Sequence, residues 1–166
     1  LEVAVPYGVQ VRLLSSAHFL MKKSEKETLV YVGQKAFIER QGKVLVLRDP
    51  NYRKNGQVGL DFPGGRFRFG GNPKEELLRE VAEETGLKVE VGRPFTVWTN
   101  INHAQNPMKP LFLIAYLCKY KSGKMRLSEE HDKFEWVDAK TYRKWKEDTD
   151  YFRALEEYFK FKNSDS

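Results

Sequence analysis

The stretch from Pro63 to Leu87 constrains this chain more than any other. A glycine turn, Pro63-Gly64-Gly65, is followed by a segment punctuated like a helix. Asn72 is a good N-cap, Pro73 suits the first helical position, and Glu75 stands three residues after the cap. Gly86 supplies the C-terminal stop, so the punctuation predicts a helix from Pro73 to about Thr85. Leu77, Leu78, Val81 and Ala82 give it an apolar face. Residues at i, i+3 and i+4 share a helix face, so Glu80, Glu83 and Glu84 are expected to project into one small volume near the glycine turn. Three clustered carboxylates repel one another, and a hard divalent cation with oxygen ligands is the usual relief.

The flanking patterns predict strands. Leu29–Ile38 and Lys43–Leu47 are apolar-rich and joined by the turn-like Glu39-Arg40-Gln41-Gly42. Gly59–Phe62 reads as a short strand entering the glycine turn. Val89–Ile101 and Leu111–Tyr120 read as longer strands, and Phe134–Val137 as a short one. The segments Asp49–Gln57 and His103–Lys109 read as loops. Asp138 is expected to cap a helix from Ala139, and Thr149 to start another through about Lys160, before a frayed tail at 163–166. Strands with helices between and after them predict an α/β sandwich around a mixed central sheet rather than a bundle or barrel. Residues 1–28 read as an extension, with a strand at Val9–Leu13 and a short helix capped by Ser15 or Ser16. Its expected role is packing against the main domain, 29–162, or against a second copy in a homodimer.

At 166 residues, one domain with a real core is the simplest organisation. No apolar run approaches membrane-spanning length, and residues 1–21 lack the order of a signal peptide, so a cytoplasmic protein is expected. Cys118 is the sole cysteine, which excludes an internal disulfide and multi-cysteine metal sites. Its place in an apolar run predicts a buried strand residue. The net charge of +6 is spread over short clusters, which favours solvated surface lysines over a nucleic-acid interface.

In register, these residues resemble the Nudix hydrolases, whose signature is G-x5-E-x7-R-E-U-x-E-E-x-G-U with U a bulky aliphatic residue. Gly65, Arg79, Glu80, Val81, Glu83, Glu84, Gly86 and Leu87 occupy eight of the nine specified positions. The ninth, a glutamate in the signature, is Gly71 here. Downstream, the segment from Leu127 to Val137 is similar to the family's S-x-E-H…W-V pattern, with Glu130 six residues before Trp136. The resemblance covers roughly Leu29 to Phe161.

The resemblance implies a Nudix-type α/β/α sandwich that hydrolyses the pyrophosphate bond of a nucleoside diphosphate linked to another group, using Mg²⁺ or Mn²⁺. It implies that Glu83 and Glu84 are the main metal ligands, with Glu80 as ligand or base and the Gly65 carbonyl as a further ligand. Arg79 is expected to orient a glutamate through an ion pair, and Glu130 to act as base or extra ligand. Arg66 and Arg68, alternating with Phe67 and Phe69 beside the turn, are candidates for reaching substrate phosphates. His131 is read as structural or as a substrate-side hydrogen-bonder, and Trp98, Trp136 and Trp145 as core, with Tyr52, Trp98 or Phe112 as the alternative lining of a nucleobase pocket. The S-x-E-H segment leans the substrate toward (deoxy)nucleoside triphosphates. ADP-ribose, nucleotide sugars, and a nucleotide-binding module with weakened chemistry are the alternatives.

Overall fold

The computed structural model describes residues 2–4, 10–12, 30–52, 57–68, 70–100 and 110–164. Strands β1 (Glu2–Ala4) and β2 (Gln10–Arg12) form an antiparallel pair. The short helix expected after Ser15 or Ser16 and the loop His103–Lys109 lie outside the described residues.

Among the described residues, six strands make the main sheet: β3 (Tyr31–Arg40), β4 (Lys43–Arg48), β5 (Leu60–Asp61), β6 (Leu87–Asn100), β7 (Leu111–Gly123) and β8 (Lys133–Val137). The sheet is mixed. β3 runs parallel to β7 over Tyr31–Glu39, and the other pairs are antiparallel. Gln41 and Gly42, with φ of 53° and 73°, form the turn between β3 and β4. Paired positive φ values match the right-handed twist of a hairpin.

Helix α1 (Pro73–Thr85) and helix α2 (Asp150–Ser164) complete a sandwich. Leu77 and Val81 pack with Ala36, Ile38, Leu45 and Leu47 on one side of the sheet. Phe152, Leu155 and Tyr158 pack with Phe37, Val44, Val46 and Phe62 on the other. Alternate residues of β3 and β4 thus serve opposite faces, as period-2 side-chain geometry requires. Cys118 is buried as expected. No helix among the described residues is long and apolar enough to cross a membrane.

Three expectations are corrected. Asp138 accepts from the amides of Lys140 and Thr141, but the element that follows is a short 3-10 helix at Tyr142–Trp145 rather than an α-helix. α2 continues through Ser164, beyond the expected end near Lys160. On α1, Leu78 and Ala82 face solvent, and the buried residues are Leu77, Val81, Glu84 and Thr85. The helix is rotated so that Glu84 belongs to its inner side, because positions 77, 81, 84 and 85 lie on one stripe.

The glycine turn owes its place to a split in the sheet. β3 and β4 pair at Glu39 with Val44 and at Arg40 with Lys43, and farther along β4 pairs with β5 through Leu47 and Arg48. The other half of β3 bonds to the turn segment instead. Ala36 N donates to Pro63 O at 2.7 Å, Gln34 N to Gly65 O at 2.9 Å, and Phe67 N to Val32 O at 2.8 Å.

Candidate active site

Gly64 makes that docking sterically feasible. Its φ is 136°, in the region that favours glycine, and a Cβ there would collide with the Gln34 carbonyl oxygen. At Gly65 a Cβ would stand 2.7 Å from Glu80 Cδ. Only a bare α-carbon lets this helix carboxylate come so close to the turn backbone.

Asn72 starts α1 as expected, its Oδ1 accepting from Lys74 N at 3.0 Å and Glu75 N at 3.4 Å. Gly86 ends the helix with left-handed dihedrals. Those caps fix the ends of the helix, and the packing of Leu77 and Val81 on the sheet turns Glu80 and Glu84 toward the turn. Glu84 Oε2 accepts from Gly64 N at 2.9 Å. Burial pushes its carboxyl pKa up to about 7, against the opposing pull of the Lys35 ammonium.

The three glutamates do not share one volume as the spacing suggested. Glu84 turns inward, Glu80 lies along Gly65, and Glu83 points outward with its side chain 57% exposed. Arg79 bridges Glu80 and Glu83. Its Nη1 donates to Glu83 Oε2 at 2.7 Å, and its Nη2 donates to Glu76 Oε2 at 3.0 Å and to Glu80. The guanidinium is thus a bridge among three carboxylates, where pairing with one glutamate was expected. Among the described residues, no three His, Cys, Asp or Glu side chains gather as a metal-holding group. A positive group already lies among these acids.

Beneath the turn lies a buried polar network that sequence reading missed. Lys35 Nζ pairs with Asp61 Oδ1 at 2.7 Å and donates to the carbonyls of Phe62 at 2.9 Å and Gly64 at 3.3 Å. His131 Nε2 approaches Asp61 Oδ2 at 3.4 Å. Burial alone would lower the Lys35 pKa, but the charges of Asp61, Tyr151 and Glu84 and the Asp61 hydrogen bond together outweigh it, and the ammonium is held. Likewise burial alone would raise the Asp61 pKa, yet Lys35 and His131 together keep that carboxyl below its ordinary value. The available signal was a lysine inside the apolar run Tyr31–Ile38 and an aspartate between Leu60 and Phe62. Charges on buried strands need partners.

Glu130 sits on the loop after β7. That loop is tied to α1, with Ser128 N donating to Glu84 O at 3.0 Å and Arg126 N to Thr85 O at 2.9 Å. Glu130 itself is exposed, while its neighbour His131 is buried in the network. Arg66 and Arg68 follow Gly65 and are both exposed, with the Arg66 guanidinium 5.2 Å from the centre of the Tyr31 ring. Trp98 and Trp145 are core, as expected, whereas Trp136 is half-buried against the cluster on the α1 side of the sheet.

The donor set suits a hard divalent cation in kind. Glu80, Glu83 and Glu84 offer carboxylate oxygens and Gly65 a carbonyl, with no sulfur or imidazole in the group. The Gly65 carbonyl already accepts from Gln34, which leaves it one lone pair.

A model of the NUDIX domain matches residues 32–158. An ADP-ribose pyrophosphatase from Methanocaldococcus jannaschii is 24% identical over 152 residues, spanning 89% of this chain and 86% of the relative. The crystal structure of a MutT protein from Methanosarcina mazei Go1 superimposes with a TM-score of 0.66 at 26% identity, over 82% of this chain and 97% of that one. A UDP-X diphosphatase structure gives a TM-score of 0.52 at 26% identity, over 74% and 57% of the two chains. The domain match spans the sheet, both sides of the sandwich, the glycine turn and the acidic helix, and the chain therefore belongs to the Nudix hydrolase family.

Proposed function

We propose that this protein is a divalent-metal-dependent pyrophosphohydrolase acting on a nucleoside diphosphate linked to another group. The carrying observation is that two carboxylates of one helix, Glu80 and Glu84, are brought onto the backbone of one glycine turn, at Gly65 and Gly64. Hydrolysis adds water across the P–O–P bridge, so the site must accept a polyanion and an attacking water together.

Glu80, Glu83 and Glu84, with the Gly65 carbonyl, would hold Mg²⁺ or Mn²⁺. Bound there, the metal would neutralise phosphate charge and lower the pKa of a coordinated water. Arg79 positions Glu80 and Glu83. Glu130, on the loop anchored at Glu84, is the candidate base for the attacking water. Arg66 and Arg68 are exposed beside the turn and serve as candidate phosphate contacts.

Within this class we favour ADP-ribose or a nucleoside diphosphate sugar over triphosphates. The names of the Methanocaldococcus relative and of the UDP-X diphosphatase support that choice. The lean toward triphosphates rests on the S-x-E-H segment alone. Incubation with Mg²⁺ or Mn²⁺ and a panel of ADP-ribose, nucleotide sugars, dinucleoside polyphosphates and triphosphates tests the proposal. Two monophosphate products from ADP-ribose support it. Monophosphate plus pyrophosphate from a triphosphate alone would overturn the substrate choice, and nucleotide binding without turnover of any substrate would sink the enzyme reading.

A further inference from the structure

The acid missing at residue 71 has a physical counterpart on the helix. Gly71 is not among the positive-φ glycines of the described residues, so its backbone would accept a side chain. What such a side chain would meet is Glu76. A Cβ on Gly71 would stand 3.2 Å from Glu76 Cγ and 3.3 Å from Glu76 Oε1. The Glu76 side chain therefore lies over the Gly71 α-carbon, in the space a residue 71 side chain would enter.

From there its other oxygen, Oε2, meets Arg79 Nη2 at 3.0 Å. Arg79 also engages Glu80 and Glu83. A guanidinium shared among three acids binds each less fully than one shared between two, because its donors are divided. Glu76 and Glu80 are equally sheltered, their side chains 20% and 21% exposed against 57% for Glu83, so water screens their pairings with Arg79 less than that of Glu83.

We propose that Glu76 is a positioning residue standing in for the carboxylate absent at residue 71, drawing Arg79 toward itself so that Glu80 and Glu83 remain available to a divalent metal. This rests on the metal-dependent reading above. Removing the Glu76 charge leaves Arg79 to Glu80 and Glu83 alone, where it competes with the metal. A carboxylate returned at residue 71 would restore the third partner. An ordinary helix-surface ion pair would affect neither metal affinity nor its rescue.

The test compares the wild type with Glu76→Gln, Gly71→Glu, the double variant Gly71→Glu/Glu76→Gln, and Glu83→Gln as a control. Mn²⁺ affinity is read from the electron paramagnetic resonance of free Mn²⁺, kcat and KM from ADP-ribose hydrolysis, and folding from circular dichroism and thermal melting. Glu76→Gln should weaken Mn²⁺ binding by about tenfold and lower kcat by a similar factor, with KM little changed and the fold kept. The double variant should return both to within about threefold of wild type, a recovery expected of a relocated outer-shell carboxylate. Wild-type Mn²⁺ affinity in Glu76→Gln, or no recovery in the double variant, would overturn the proposal. If the wild type hydrolyses its substrate and Glu83→Gln loses Mn²⁺ while Glu76→Gln does not, this inference alone fails. If the wild type neither binds Mn²⁺ nor turns over, the proposed function fails and takes the inference with it.

Discussion

Glu84 Oε2 accepts a 2.9 Å hydrogen bond from Gly64 N, which fastens the last turn of α1 to the glycine turn from its buried side. The carboxyl there has a pKa pushed by burial up to about 7, from its ordinary value of 4.5. Between those values the folded chain holds a proton at Glu84 that the unfolded chain has released. The associated stability is present below about pH 4.5 and is lost as pH rises through about 7. In EDTA, Glu84→Gln should remove this slope, so the wild type loses about 2 kcal/mol relative to the variant between pH 5 and pH 8. Denaturant titrations of both proteins at the two pH values check this, and parallel slopes would refute it.

Activity and stability should separate at this residue. Glu84→Gln keeps an acceptor for Gly64 N but loses the charge, so turnover should drop by at least about 100-fold while the melting temperature at pH 8 holds or rises. Glu83→Gln, at an exposed position, should cost activity comparably with little change in melting temperature. Full activity in both variants would place the metal site elsewhere.

Lys35 and Asp61 form a buried pair, and breaking one side is expected to cost more than replacing both. Lys35→Met alone leaves the buried Asp61 carboxylate without its lysine partner and should destabilise by about 3–5 kcal/mol. Lys35→Met with Asp61→Asn should recover a substantial part of that loss. Chemical denaturation of the single and double variants measures the coupling, and strict additivity would show that the two charges act independently.

Gly64→Ala should fail at the backbone. Its φ of 136° strains any side chain, and the new methyl meets the Gln34 carbonyl. Strain of this kind costs about 1–3 kcal/mol, and the displaced turn should lower kcat by about 100-fold. Melting temperature and turnover measured together check both effects. Wild-type values for both would mean that the turn does not depend on Gly64.

Local signals carried most of the fold. Asn72 and Gly86 bound α1 because caps act through the nearest few residues, and the apolar run Leu111–Cys118 reads as a strand whatever surrounds it. The rotation of α1 was not legible in the same way. Leu78 and Ala82 look as apolar as Leu77 and Val81, and only the opposing residues of β3 and β4 decide which pair is covered. The same holds for the network under the turn. Lys35, Asp61 and His131 are far apart in the chain, and folding alone brings them together. Asp138 shows the converse error: its capping bonds form, but a local cap does not fix the length of the element after it. Glu147 is another case, its carboxylate receiving the amides of Val58, Gly59 and Leu60.

The turn segment occupies the hydrogen-bonding edge that β3 leaves vacant where it parts from β4. It therefore shares the fate of that strand in time as well as in place. The amides of Gln34, Ala36 and Phe67, which form those bonds, should exchange with solvent only in openings that break into the sheet, not in the fast excursions of a surface loop. The floor of the candidate site is then a slow, cooperative part of the molecule, and the backbone on which Glu80 and Glu84 rest does not serve as a gate.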